Sequence, residues 1–291
     1  MVELTLLGTK GGPSLRKVGP SFLPSSSHIS FNNYSVIVDC GLGVSAAMVR
    51  AGHALTNLTH IFISHYHSDH CLELGNLIHT AWTSGLSKPI KVFGPPGLEN
   101  IWENFLKMMK FDIDVRIKDE GRPPLHDLVS IQVYDPEGDQ VFSIFNEREF
   151  FASGLRNSHP PINDSFSLRF DLGNKSITFS GDTAYFPNLV KLAKGSDILV
   201  HEAMLERGVN YIVEKTKNAD ERLEQHLKLS HTLAAEAGDI AIDAGVSHLL
   251  LNHLIPPERE ICNDDEWLSE VRKTFDGSCS VGFDGMRVFL Q

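Results

Sequence analysis

The chain has 291 residues and a formal charge of −11, with 42% apolar and 22% charged residues. That balance belongs to a soluble globular protein with a sizeable core and excludes a disordered or fibrous chain. The acidic excess argues against a large nucleic-acid footprint, which would be basic, and no apolar stretch approaches the roughly 20 residues that cross a bilayer.

In chain order, Val2 to Leu7 reads as a strand ended by Gly8, followed by a Gly/Pro/Ser-rich loop from Gly11 to Ser27. Tyr34 to Asp39 is a strand stopped by Gly41, Val44 to Ala51 is helical, and Leu58 to Ser64 is a strand leading into His65-Tyr66-His67-Ser68-Asp69-His70. Helices are predicted over Leu72–Trp82 and Leu98–Met109, separated by a short strand at Ile90–Phe93. Strands follow at Leu128–Tyr134, Gln140–Asn146, Phe166–Asp171 and Ile177–Ser180, the last turning at Gly181. Asn188–Lys194 and Leu229–Ala244 are helical, and Ile198–Val200 and Leu249–Leu251 are strands. Ser280 to Leu290 fits a hairpin around Asp284-Gly285. The acids near the end, such as Asp264-Asp265-Glu266, read as solvated surface, and so does the segment from Asn210 to His226, with a lid or contact surface as its alternative. Without a repeat or a linker, one domain over residues 1–291 is expected. The four cysteines, Cys40, Cys71, Cys262 and Cys279, form no CxxC pair, and no secretory leader precedes the first strand. Reduced thiols and a cytoplasmic location are expected.

Four lone-pair donors lie within six residues just past a strand: His65, His67, Asp69 and His70. In extended chain, residues i and i+2 face the same way, so His65 and His67 can grip one ion, while a tightening turn sends Asp69 and His70 toward a second. Asp182 in Gly181-Asp182-Thr183 and His253 after Leu249–Asn252 each follow a strand, and His159 precedes one. Singly, each reads as a turn carboxylate or a surface histidine. Together they complete two coordination sets.

This pattern, HxHxDH, a lone His, GDT and a late His after a strand, resembles the metallo-β-lactamase superfamily over essentially the whole chain. Leu7-Gly8-Thr9, Val38-Asp39-Cys40-Gly41, His201-Glu202-Ala203 and Ser230-His231-Thr232 are similar to its ribonuclease Z and arylsulfatase-like branch. The resemblance implies an α+β fold, a four-layer αββα sandwich, and two divalent ions. His65, His67 and His159 would bind the first, Asp69, His70 and His253 the second, with Asp182 bridging. It also implies catalytic roles for Asp69, His231 and Glu202: His231 protonates the leaving group or stabilises its charge, and Glu202 orients it. Without the resemblance, His231 reads equally as a helix-entry histidine bonded to backbone. His201 or Glu202 is also a candidate for fixing a ligand's tautomer.

Imidazoles and carboxylates suit zinc, or manganese, better than calcium. Two divalent ions bring four positive charges, Asp69 and Asp182 remove two, and a hydroxide held between the metals removes another, so an anionic ester is welcome. A small or medium phosphodiester is the leading substrate class and a sulfate ester the second. Ribonuclease Z enzymes commonly carry a basic arm between the lone His and GDT, but only Pro160 to Gly181 lies there, and Glu73-Leu74-Gly75-Asn76-Leu77 replaces their Gly-Leu-Pro-Gly. Transfer-RNA 3′-end processing therefore stands as an alternative, followed by lactone or β-lactam hydrolysis and by a non-catalytic metal-binding regulator. The resemblance also implies a homodimer.

Overall fold

The structure is a computed structural model that describes residues 1–17 and 19–291; position 18, inside the first loop, lies outside them. The first half of the chain builds β1 (Val2–Gly8), β2 (Ser26–Phe31), β3 (Tyr34–Val38), β4 (His60–Phe62), β5 (Ile90–Gly94) and β6 (Val129–Val133), with helices α1 (Val44–Arg50), α2 (Ser68–Cys71), α3 (Leu74–Thr83) and α4 (Leu98–Glu120) between them. The second half builds β7 (Phe142–Glu147), β8 (Phe150–Arg156), β9 (Phe166–Leu172), β10 (Lys175–Phe179), β11 (Ile198–Met204), β12 (His248–Ile255) and β13 (Ser278–Val281). Its helices are α5 (Leu189–Ala193), α6 (Glu206–Lys215), α7 (Arg222–Ser230), α8 (Ala234–Ala244) and α9 (Asp264–Val271), and β14 (Arg287–Leu290) closes the chain.

Two seven-stranded sheets result, ordered β14-β1-β2-β3-β4-β5-β6 and β13-β12-β11-β10-β9-β8-β7. Period-2 alternation decides which layer each side chain enters. On β3, Ile37 faces outward to a core with Met48, Leu77 and Trp82, whereas Val36 and Val38 face inward. On β12, Leu249 and Leu251 pack outward against Ile240 and Trp267 while Leu250 enters the space between the sheets. The inter-sheet layer is rich in aromatic rings; Phe62 stacks on Phe93 at 4.6 Å and meets Phe170 edge-on at 5.0 Å. Helix, sheet, sheet, helix is the expected αββα order.

Several element predictions are corrected. Strand β2 lies at the end of the predicted loop, and β8 was missed because Gly154 and two charged turn residues, Arg148 and Glu149, mask its alternation. Helix α4 runs eleven residues past the predicted end at Met109, supported by Arg116, which pairs with Asp112 and Glu120 one turn away on either side. The predicted helix Leu229–Ala244 is two helices, because His231 is extended and Glu236 accepts from Leu233 N at the start of α8. Asp264-Asp265-Glu266 is the first turn of α9, where Asn263 and Glu266 form a reciprocal capping box. The predicted hairpin over Ser280–Leu290 is absent: β13 pairs with β12 and β14 with β1, so the chain crosses between sheets there.

Strands β3 to β6 run parallel, as do β10 to β13. The chain leaves β3, β4 and β10 at their carboxyl ends into loops carrying Asp39, His65 to His70 and Asp182, and near the end of β12 it places His253. Carboxyl ends of parallel strands are where polar side chains from distant segments converge.

Candidate metal centre

The seven donors predicted from the sequence come together in two groups sharing one carboxylate: His65, His67, His159 and Asp182, and Asp69, His70, Asp182 and His253. Within each group the donor atoms lie within 4.8 Å of one another. Asp182 Oδ2 is the common point, 3.1 Å from His253 Nε2, 3.2 Å from His70 Nε2, 3.8 Å from His65 Nε2 and 4.0 Å from His159 Nε2. His67 Nδ1 lies 3.1 Å from His65 Nε2 and 3.0 Å from His159 Nε2.

Local backbone sets each position. His253 is the extra residue of a β-bulge: Glu202 faces Asn252 and Ala203 faces Leu254, leaving His253 unpaired at φ 44°. A left-handed histidine on a strand costs on the order of 1–3 kcal/mol, and it turns the ring into the cluster. Asp39, at φ 61° just past β3, accepts from Ser64 N at 2.7 Å and from Ser64 Oγ at 2.9 Å, fixing the start of the histidine loop.

The outer ring nitrogens are committed to other partners, which leaves the inner ones free for a cation. His70 Nδ1 donates to Asp39 Oδ2 at 2.8 Å and His159 Nδ1 donates to Ser230 O at 2.9 Å, while His253 Nδ1 meets Ser25 Oγ at 2.7 Å. His70 Nε2 and Asp182 Oδ1 are buried with no hydrogen-bond partner among the described residues. Burial pushes His65 well below its usual range, His159 down to about 4 and His253 to about 3, so all three are neutral at pH 7, the form a metal requires. Burial acts the same way on His70, but Asp182, Asp39 and Asp69 outweigh it and hold its imidazolium. Buried carboxylates crowding one imidazole call for a cation, and the set fits divalent ions.

Glu202 is wholly buried, and its Oε1 accepts from Thr183 N at 2.6 Å and from His231 Nδ1 at 3.0 Å. Burial raises the Glu202 carboxyl; burial lowers His231, but the Glu202 charge more than offsets it. His201 is turned away, its Nδ1 donating to Glu202 O, and Glu202 bonds His231 instead of a ligand ring, so neither fixes a ligand's tautomer; Asp39, Ser230 and Ser25 take that place.

A cavity of about 320 Å³ opens onto the cluster, with His67, Asp69, Asp182, His231 and His253 at its floor. Lys10 and Arg16 of the first loop line one side, and Ile212, Leu223, Leu227 and Ile255 form an apolar wall. The Asn210–His226 segment is therefore a cover over the pocket, not a freely solvated helix, tied to the loop by Arg16 Nη2 donating to Thr216 Oγ1 at 2.8 Å. Sequence reasoning missed Lys10, Ser25, Asp39, Ser230 and His226, whose ring stands 6.0 Å from those of His67 and His231. Asp39 and Ser230 stood in two of the motifs quoted for the resemblance, without a role assigned to either; Asp39 also leaves a buried strand just before Gly41.

The chain is similar to the ribonuclease Z of Mycolicibacterium gilvum (strain PYR-GCK), at 29% identity over 292 residues covering 99% of this chain and 96% of that one. Human tRNase Z, short form, superposes with a TM-score of 0.72 at 20% identity, covering 99% of both chains. The metallo-β-lactamase fold protein YhfI from Bacillus subtilis superposes at 0.69 and 20% identity, covering 99% of this chain and 98% of that one. The fold is that of the metallo-β-lactamase superfamily, and the chain is a metal-dependent hydrolase of its ribonuclease Z-like branch. No helix among the described residues is long and apolar enough to cross a membrane. The family model described as anti-Pycsar protein Apyc1 matches residues 2–250. The chain belongs to the anti-Pycsar protein Apyc1 family.

Proposed function

We propose that this protein is a two-metal phosphodiesterase acting on a small phosphodiester of about one nucleotide in size. The observation that carries the reading is the pocket: it is roofed by α6 and α7, has cations on one side and an apolar wall on the other, and its 320 Å³ lies near the lower end of the roughly 300–1,000 Å³ typical of small-molecule sites. A phosphodiester contained within a single nucleotide, a cyclic mononucleotide, meets both the volume and the chemistry.

In this reading His65, His67, His159 and Asp182 hold one ion and Asp69, His70, His253 and Asp182 the other. Zinc, or manganese, suits these donors, and such a pair supplies Lewis acidity toward phosphoryl oxygens and lowers the pKa of a water to about 7. The protein's own groups do the rest. Asp39, Ser230 and Ser25 lock the imidazoles in place. Glu202 fixes His231 through Nδ1, so Nε2 is the atom that hands a proton to the leaving oxygen, and the tie to Thr183 N keeps that donor in register with Asp182.

Incubating the metal-loaded protein with cyclic mononucleotides, a linear dinucleotide, a precursor transfer RNA, an aryl phosphodiester and its sulfate counterpart tests the reading. The cyclic mononucleotide is expected to be the best substrate. Cutting of the precursor RNA alone, with affinity falling steeply as salt rises, would replace this reading with the ribonuclease Z one, which the 29% identical relative favours. Loss of neither class of ester, with metal bound, would point to carbonyl esters or to a binding role.

A further inference from the structure

We infer that Lys10 contacts the substrate, its ammonium holding a non-bridging phosphoryl oxygen in the pocket that it lines together with His231. The inference rests on the phosphodiesterase reading and adds a residue to it.

Lys10 is unusual first in being buried, with 3% of its surface exposed. Among the described residues no carboxylate lies within ion-pair distance of Nζ. The nitrogen instead donates to Gly11 O at 2.9 Å and Gly12 O at 2.5 Å. An ammonium has three donors, so these two carbonyls leave one for the pocket, which Lys10 lines together with Asp69, Asp182 and His253. Burying an ammonium away from water and from a counter-charge is costly. A loop that only needed a strut would be served by a neutral side chain.

Its position is as tightly set as that of the metal-site residues. Leu254 N donates to Thr9 O at 2.9 Å and Gly11 N donates to Leu254 O at 3.1 Å, so the segment pairs with β12 directly beside the bulged His253. Lys10 N donates to Leu23 O at 3.0 Å on the other side. Gly11 admits no side chain there: a Cβ would lie 2.5 Å from Ile255 Cγ1 and 3.0 Å from His253 Cδ2.

Charge counting gives this ammonium a task. Hydrolysis forms a bond from water oxygen to phosphorus and breaks the ester P–O bond. One water proton goes to the leaving oxygen and the other to solvent as the new monoester ionises. The product therefore carries one more negative charge than the diester. Asp69 and Asp182 would be engaged by the ions they hold, leaving the Lys10 ammonium, with the Arg16 guanidinium beside it, as positive charge on the pocket wall without an ion-pair partner among the described residues. A carbonyl ester also gains one charge on hydrolysis, but it binds neutral, so the ammonium has no anion to hold in its substrate complex.

The test uses the zinc-loaded protein and the variants Lys10→Met and Lys10→Gln, the second of which keeps donors for the two glycine carbonyls and removes only the charge. Inorganic phosphate is titrated calorimetrically, and turnover of an aryl phosphodiester and of a neutral aryl acetate is followed in parallel, with metal content and Tm as controls. Both variants are expected to bind phosphate about 10- to 100-fold more weakly, the effect of losing one charge-assisted hydrogen bond. KM for the phosphodiester should rise by a similar factor, with kcat changed far less and acetate turnover unchanged. If Lys10→Met fails to fold or loses metal, Lys10→Gln alone decides. Wild-type phosphate affinity in Lys10→Gln would make Lys10 a loop strut and overturn the inference, as would absence of phosphate binding by the wild type. Phosphate binding that depends on Lys10 in a protein that hydrolyses no phosphodiester would leave Lys10 as an anion contact and refute the phosphodiesterase reading instead.

Discussion

A single carboxylate oxygen, Glu202 Oε1, joins His231 Nδ1 at 3.0 Å to Thr183 N at 2.6 Å, so the histidine at the pocket floor and the residue following Asp182 move as one unit. Glu202→Gln keeps the shape but loses the charge that raises the His231 imidazole. It is expected to lower kcat for a phosphodiester about 10- to 100-fold, the range for residues that orient an active group, with metal content unchanged. His231→Ala should cost about 100- to 10,000-fold, and less with an aryl leaving group that departs without a proton. An equal loss for good and poor leaving groups would remove His231 from the proton-donor role.

Because Asp182 stands in both donor groups and His253 in only one, removing them should differ in kind. Elemental analysis is expected to show about one ion per chain lost in His253→Ala and most of both lost in Asp182→Ala. Chelation of the wild type should lower Tm and zinc should restore it, since a ligand at 1,000 times its Kd stabilises by about 4 kcal/mol. Equal metal content in the two variants would contradict the shared carboxylate.

Stability should also fall with acid for a reason outside the metal centre. His60 sits among Phe62, Phe93, Phe145 and Phe150, and burial, with Lys91 adding, brings its pKa down to about 4. Below the ordinary histidine pKa of about 6.5 the unfolded chain takes up this proton and the folded one does not, so stability present above pH 6.5 is lost progressively down to about pH 4. The contribution is on the order of 3 kcal/mol. Urea unfolding of His60→Phe at pH 7, 6 and 5 should show a shallower decline than wild type, and identical slopes would refute the assignment.

Asp284 binds the first loop to the crossing between the sheets, accepting from Thr9 N at 3.0 Å, Thr9 Oγ1 at 2.8 Å, Phe22 N at 2.9 Å and Leu23 N at 2.8 Å. Asp284→Ala leaves those donors without a partner and should destabilise by about 3 kcal/mol. Hydrogen exchange at Phe22 and Leu23 should accelerate, and KM should rise as the neighbouring Lys10 loses its fixed position.

The metal cluster was legible because four of its donors are contiguous and the spacing of His65 and His67 has a direct meaning in extended chain. Asp182, His159 and His253 were readable only by their placement beside strands. What escaped depends on non-local pairing. Asp284-Gly285 carries a genuine turn signal, but whether flanking strands pair with each other is decided by partners elsewhere in the chain, Val2 for Leu290 at its far end and His248 for Ser278 across helix α9. Ser25 and Lys10 look like ordinary loop residues, and Ser230 like an ordinary helix residue, until the fold sets them against a histidine or the pocket. Asn263 and Glu266 form a readable capping box, and α9 was missed because the acids were taken as surface charge.

The pairing of β1 with β14 has a further consequence, for synthesis on the ribosome. Strand β1 emerges well before β14, one of its two neighbours, and Thr9 meets Asp284 across a separation of 275 residues. His253, too, emerges late. The first sheet and the loop beside the metal centre therefore close together only once Asp284 and β14 have emerged, and until then a growing chain exposes an open β1 edge for which a chaperone is the natural cover.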